Sequence, residues 1–364
     1  MIKKRGIIMT IAAVYDHFGC KIMVGDILIT GDTDHVQHNV SLPTIGKMTK
    51  SIDGKTSVYH LFQKINIINK NCIIGWGGNV NKAYEFMNRL HRLSKRLQIT
   101  KSLILKVFDK IVLNDNDFCI IAAIYNGHSF EHFGINCNSK LSERLGEVFY
   151  FGSGSEAVDE FLDNIIDKLN AAKPNFEDHA AQSASIAITQ IAHLMKNELL
   201  NKSESVNIND FFGGGYEVAL FYDGEFRKIN VNYIYFEVEV VDNIIVIDNP
   251  DYIVCQAYDQ KRLKYKTIKT KNKKENDIER NEIIDVEPLI DIQESQFDLN
   301  IFNDLNWSCF VFYDKYSNTQ HILKSFIIKS EIPPFEYEVI KNKLYISYSY
   351  NAEKHIKEFI SKYY

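Results

Sequence analysis

The chain has 364 residues, 45% hydrophobic and 24% charged, a balance that suits a globular protein with room for one large unit and a smaller one. A net charge of −5 gives no global basic field of the kind that recruits nucleic acid. No run reaches the roughly 18 apolar residues of a membrane span, and residues 1–9 are basic at the start but too short in apolar residues for a signal peptide. Six scattered cysteines form no CxxC pair, so free thiols in a reducing cytoplasm are expected, with no membrane partner.

The first predicted element is a hairpin over 10–30. The runs TIAAVY (10–15) and CKIMVGD (20–26) are apolar and flank the turn residues Asp16, His17, Phe18 and Gly19. With Tyr15 opposite Cys20, antiparallel pairing sets Thr10 opposite Gly25 and Asp26 beside the start of the first strand. A threonine whose hydroxyl and α-amine both face a fixed carboxylate is the raw material of a hydrolase with an N-terminal nucleophile. Nine residues precede Thr10, so they must be removed before that α-amine exists.

Residues 31–59 are polar and irregular, with Pro43 and Gly46, and read as a long surface loop. A second hairpin pairs 64–68 with 71–75. After Trp76, Gly77 and Gly78, a helix opens with Asn79 as N-cap, its apolar face running from Val80 to Leu97. A second helix covers 101–113, and strands at 118–125 and 129–133 meet at Asn126-Gly127, the strongest short hairpin signal in the chain. A strand at 148–151 leads into Gly152-Ser153-Gly154-Ser155, followed by helices to about 169 and from 178 to 200. After Asp210-Phe211-Phe212 and three glycines, strands at 217–222 and 225–231 pair across Asp223-Gly224. Strands, helix pair, strands, helix pair, strands is the order expected of a four-layer αββα sandwich.

Strand patterns continue through 232–255 with a turn at Asp242-Asn243. A basic run over 261–274 and an acidic one over 275–294 then read as a solvated linker. From about 300, strands near 309–313, 321–328, 336–340 and 344–348 and a helix near 352–362 predict a small α+β module. The expected domains are therefore 1–255, a charged linker at 256–299, and 300–364.

Four segments in order, Thr10 to Asp26, KINIINKNCIIGWGGNVNKAYEF, VFYFGSGSEAVDEFL and DFFGGGYEVALFYDGEF, resemble the proteasome β-subunit superfamily over residues 10–230. The family includes the bacterial ring hydrolase that works with an ATP-driven unfoldase. The resemblance implies an N-terminal-nucleophile (Ntn) hydrolase, a threonine peptidase that needs no metal or organic cofactor and assembles as a ring-like homo-oligomer. It makes Thr10 the nucleophile and Asp26 the family's aspartate. Thr30 and Gly78 fall on substrate-binding positions, Gly77 on the glycine whose N–H holds the oxyanion, and Ser153 and Asp210 on the pair near the N-terminal amine. An N-terminal threonine's α-amine titrates near about 7.7–8.0 and can act as its own general base.

Three departures matter. The family's lysine is expected four residues before Lys64, where His60 stands, with Lys47, Lys50 and Lys55 as shifted candidates. Gly213 stands where the family has a serine, and Met9, not glycine, precedes Thr10. Translation from Met9, followed by methionine removal, is one expected route to a free Thr10. His35 and His38 lie on a polar loop without a clear third ligand, so no metal is expected there. The expected partners are a second copy of the chain, a peptide or protein substrate, and a protein recruited through 300–364. The alternative function is a catalytically inactive, proteasome-like scaffold in which Thr10 is an ordinary strand residue and Gly77-Gly78 only a strand-to-helix turn.

Overall fold

A computed structural model describes residues 8–32, 40–48, 52–112, 117–165, 179–241, 244–247, 249–290, 299–302, 305–314 and 322–361. The chain is mixed α+β, mostly strands arranged in several sheets. It divides into two units, Met1–Lys228 with Val286–Gln293, and Ile229–Asp285 with Glu294–Tyr364. Among the described residues no helix is long and apolar enough to cross a membrane. The predicted turn at Asp242-Asn243 and the histidines at 35 and 38 lie outside the described residues, as does Lys50.

In the first unit, β1 (Ala12–His17) and β2 (Cys20–Asp26) form the opening hairpin. Its register differs from the expected one: His17 pairs with Cys20 and Ala12 with Gly25. The turn is only Phe18 and Gly19, both at positive φ (50° and 81°), the two-residue geometry that matches strand twist. Counting Asp16 and His17 into the turn shifted the expected pairing by two residues. Asp26 is thus opposite Ile11, and its N–H donates to the Ile11 carbonyl (3.0 Å).

Among the described residues of the predicted loop over 31–59 there are strands: the end of β3 (Leu28–Asp32), β4 (Val40–Leu42), β5 (Gly46–Met48) and the start of β6 (Thr56–Gln63). β3 pairs with β6, and β4 with β5. Then come β7 (Ile65–Asn69), β8 (Cys72–Gly78), α1 (Val80–Ser94) and α2 (Lys101–Val112). Asn79 caps α1 through bonds from the N–H groups of Asn81 and Lys82. The helix stops at Ser94, leaving Leu97 exposed rather than on its apolar face. β9 (Phe118–Tyr125), β10 (Phe130–Ile135), β11 (Asn138–Ser142) and β12 (Gly146–Phe151) follow. Next are α3 (Ser155–Glu160), a π-helical turn at Phe161–Ile165, α4 (His179–Asn201) and α5 (Val206–Asn209). β13 (Tyr216–Tyr222) and β14 (Glu225–Lys228) end the unit's first run.

Two sheets result, ordered β11-β12-β1-β2-β13-β14 and β10-β9-β8-β7. One apolar core joins them: Ala12, Val14, Met23 and Ala219 from the first meet Ile65, Ile73, Ile121 and Ala123 from the second. The neighbouring residues Ile74, Trp76, Ile120 and Ala122 point the other way, into a core with Phe86, Leu90 and Phe108 of α1 and α2. Serving two cores from alternate positions is why β8 and β9 are almost continuously apolar. α4 packs on β2 and β13.

The second unit holds β15 (Val231–Val241), β16 (Ile244–Ile247), β17 (Tyr252–Asp259), β18 (Arg262–Asn272) and the start of β19 (Asp277–Pro288). β20 (Trp307–Asp314), β21 (Ile322–Lys329), β22 (Phe335–Ile340), β23 (Lys343–Tyr348) and α6 (Tyr350–Ser361) complete it. The strand order is β21-β20-β15-β17-β18-β19-β23-β22. Two expectations are corrected here. The charged stretch is not a linker, because β18 and β19 are central strands. Residues 300–364 are not a separate module, because β20 runs parallel to β15 over Val231↔Trp307 to Val238↔Asp314 and shares its core.

Candidate active site

Thr10 emerges just before β1, and four segments close around it. Its Oγ1 donates to Asp26 Oδ1 at the end of β2 (2.5 Å) and accepts from Lys64 Nζ (2.5 Å). Lys64 Nζ also donates to Asp26 Oδ1 (2.7 Å), which takes a third bond from the Ile11 N–H (3.2 Å). The other carboxylate oxygen, Oδ2, accepts from Gly213 N–H (2.9 Å). All three side chains are almost wholly buried: Thr10 and Asp26 are 0% exposed and Lys64 1%. Burial lowers the Lys64 amine from its usual range, while Asp26 and then Glu217 oppose the shift.

Lys64 takes the place expected of His60. His60 lies on β6 opposite Ile29, its ring edge-on to Phe62, and Lys64 stands at the entrance to β7 with its Nζ on Thr10 Oγ1. Glu217 fixes that entrance. Its Oε1 accepts from the N–H of Lys64 (2.7 Å) and of Ile65 (3.1 Å), and its Oε2 from Lys228 Nζ (2.5 Å).

A second buried carboxylate, Glu198 of α4, holds the Gly213–Gly214 turn. It accepts from Thr44 Oγ1 (2.5 Å), Gly214 N–H (2.9 Å), Asn207 Nδ2 (3.0 Å) and the Tyr216 hydroxyl. Burial pushes its carboxyl up to about 6, against four bonds that favour the ionised form. Gly213 sits at φ 109°, and a Cβ there would lie 2.3 Å from Glu198 Oε1, so this turn admits no side chain. That is why glycine replaces the expected serine. Lys64, Glu217 and Glu198 were all missed as site residues. The available signal was charge inside apolar runs: a lysine opening KINII, and a glutamate within the buried stretch of α4.

The glycines set how closely backbone approaches Thr10. A Cβ on Gly77 would meet Thr10 Cγ2 at 2.8 Å, and one on Gly152 (φ 99°) would meet the Thr10 carbonyl oxygen at 2.0 Å. A cleft of about 280 Å³ adjoins this point, lined by Thr30, Lys64, Trp76, Gly78, Val80 and Asp117 together with Ile8 and Met9. Gly77 therefore lies beside Thr10, and Gly78 in the cleft wall. Thr30 Oγ1 contacts Met9 Sδ (2.9 Å), and Ser153 N–H donates to the Ile8 carbonyl (2.8 Å). The two residues before Thr10 thus lie in the cleft.

Ser153 and Asp210 are brought together, but in another cavity, and neither side chain bonds to Thr10. Among the described residues, no group of three His, Cys, Asp or Glu side chains is arranged to hold a metal ion. The six cysteines are free thiols. Compared with known proteins, the chain matches no protein-family model and no curated protein.

Proposed function

We propose that this chain is a proteasome-like Ntn hydrolase that cleaves peptide or amide bonds, with Thr10 as nucleophile once residues 1–9 are released. The observation that carries this reading is the buried array in which Thr10 Oγ1 sits between Lys64 Nζ and Asp26 Oδ1. A hydroxyl gripped by a lysine of lowered basicity and a fixed carboxylate is a nucleophile in waiting. The two sheets sharing a core, with α1 and α2 on one and α4 on the other, support a four-layer αββα sandwich.

In the proposed reaction the freed Thr10 α-amine takes the Oγ proton through a water, and Oγ attacks the amide carbonyl carbon. Lys64 Nζ stabilises the oxygen as it loses its proton, and backbone N–H at Gly77 holds the oxyanion. The tetrahedral intermediate collapses, the amine product leaves with the proton from the α-ammonium, and a Thr10 ester remains. Water, deprotonated by the same amine, cleaves that ester to the acid. Thr30 and Gly78 bind the acyl side of the substrate in the cleft. A cytoplasmic, ring-like homo-oligomer belongs to the same reading.

The second reading, an inactive scaffold, is favoured by Ile8 and Met9 lying in the cleft with Thr10 still amide-bonded. Intact-mass spectrometry separates the two. A mature chain beginning at Thr10, with fluorogenic-peptide turnover that disappears in Thr10→Ala, is the expected result. Retention of Met9 in the purified protein, or turnover untouched by Thr10→Ala, sinks the hydrolase mechanism.

A further inference from the structure

Ser153 lines a second cavity, of about 200 Å³, that shares no lining residue with the cleft beside Thr10. Three carboxylates line it: Glu156 and Glu160, one helical turn apart on α3, and Asp210 just after α5. Among the described residues no lysine or arginine lines it, and His193 is the one basic lining group; Lys196 of α4 acts on Glu160 from outside the lining. Burial, and then the negative charge of Glu156, hold the Asp210 carboxyl above its usual range, as expected of like charges without a counter-ion.

The second feature is independent of charge. Gln190, 2% exposed, also lines the cavity, and its Oε1 accepts from the Tyr15 hydroxyl (3.1 Å). That bond fixes the amide's orientation and leaves Nε2 buried without a partner among the described residues. Ser153 Oγ is buried and unpartnered as well. An orphaned buried donor is costly, and an acceptor on a ligand removes that cost. A water would satisfy the amide but bring no positive charge to Asp210 and Glu156.

We propose that this cavity binds a basic residue of a peptide, its ammonium or guanidinium group among Glu156, Glu160 and Asp210 and its main-chain carbonyl oxygen at Gln190 Nε2. Arginine is the better fit to several carboxylates, because its planar fork donates to more than one at once. Two sources carry this chemistry. One is a separate peptide. The other is the chain's own Lys3, Lys4 and Arg5, which lie three to five residues before Ile8, whose carbonyl is bonded at Ser153.

The test titrates the full-length chain with N-acetyl-arginine amide by calorimetry, beside the neutral isostere N-acetyl-citrulline amide. Arginine amide is expected to bind, and the citrulline compound to bind about tenfold more weakly or not at all. Glu156→Gln, Glu160→Gln and Asp210→Asn together are expected to cause a similar loss. If the wild-type chain is silent but a Lys3→Ala, Lys4→Ala, Arg5→Ala variant binds, the occupant is the chain's own basic run. Silence in both chains, or equal binding of the citrulline compound, overturns the proposal. Binding alone is read, so the result stands whether or not Thr10 catalyses hydrolysis.

Discussion

The surroundings of Asp26 and those of Gln190 treat buried polarity in opposite ways. Around Asp26 both carboxylate oxygens are engaged, by Thr10, Ile11, Lys64 and Gly213, and the flanking acids Glu198 and Glu217 are saturated in the same manner. Around Gln190 and Ser153, donors are buried without partners among the described residues, beside three carboxylates of which only Glu160 is acted on by a lysine, Lys196. The first arrangement holds a fixed geometry, since each group is over-determined by its neighbours. The second is unfinished and is completed by something that binds.

The largest break in this contrast comes from the saturated side. Asp26→Asn leaves Lys64 buried without its carboxylate and is expected to cost about 3–5 kcal/mol of unfolding free energy. Adding Lys64→Met should recover part of the loss. Urea denaturation of the single and double variants measures both, and a double variant no more stable than Asp26→Asn would deny the coupling. Glu198→Gln puts an amide NH₂ where only acceptors fit, and about 2 kcal/mol is expected from the unsatisfied group. The loss should appear as a lower denaturation midpoint with an unchanged slope.

A smaller effect follows from protonation of Glu198. Its folded-state pKa, about 6, lies above the ordinary carboxyl value, so the folded protein binds this proton more tightly than the unfolded chain does. The stability it contributes is fully present below the ordinary value and is lost as pH rises through about 6. The melting temperature of the wild type relative to Glu198→Gln should therefore fall between those two pH values. A difference that is flat with pH would refute the assignment. On the unsaturated side, Glu156→Gln with Glu160→Gln should change stability by no more than about 0.5 kcal/mol, because both residues are exposed.

Much of the first unit could be read along the chain. Asn126-Gly127, Asp223-Gly224, the Asn79 cap and the apolar period of α1 are local signals, and local sequence determines them. Thr10 and Asp26 were recognisable because one tight hairpin joins them. Lys64 was not, because its place beneath Thr10 is set by which strand β7 lies against, and spacing in sequence carries no trace of that. Glu198 and Glu217 were hidden for the same reason, since their partners come from Thr44, Gly214 and the start of β7. The linker reading of 261–294 failed differently. RLKYKTIKTKN alternates with period two, but its lysines weighed as solvated charge, whereas Lys264 is buried and Lys266 lies over the rings of Phe302 and Tyr337.

The segment 286–293 is where the chain returns to the first unit after building four strands of the second and most of a fifth. Leu289 and Ile290 are buried in the core formed by Trp76, Phe86 and Phe108. On the ribosome, the sheets around Thr10 are therefore synthesised some sixty residues before the last side chains of their own core exist. A chain stopped at residue 228 would carry every group of the Thr10 array and still lack part of the layer behind it. Under domain-by-domain folding, the usual order during synthesis, the first unit's core stays without Leu289 and Ile290 until much of the second unit has been made.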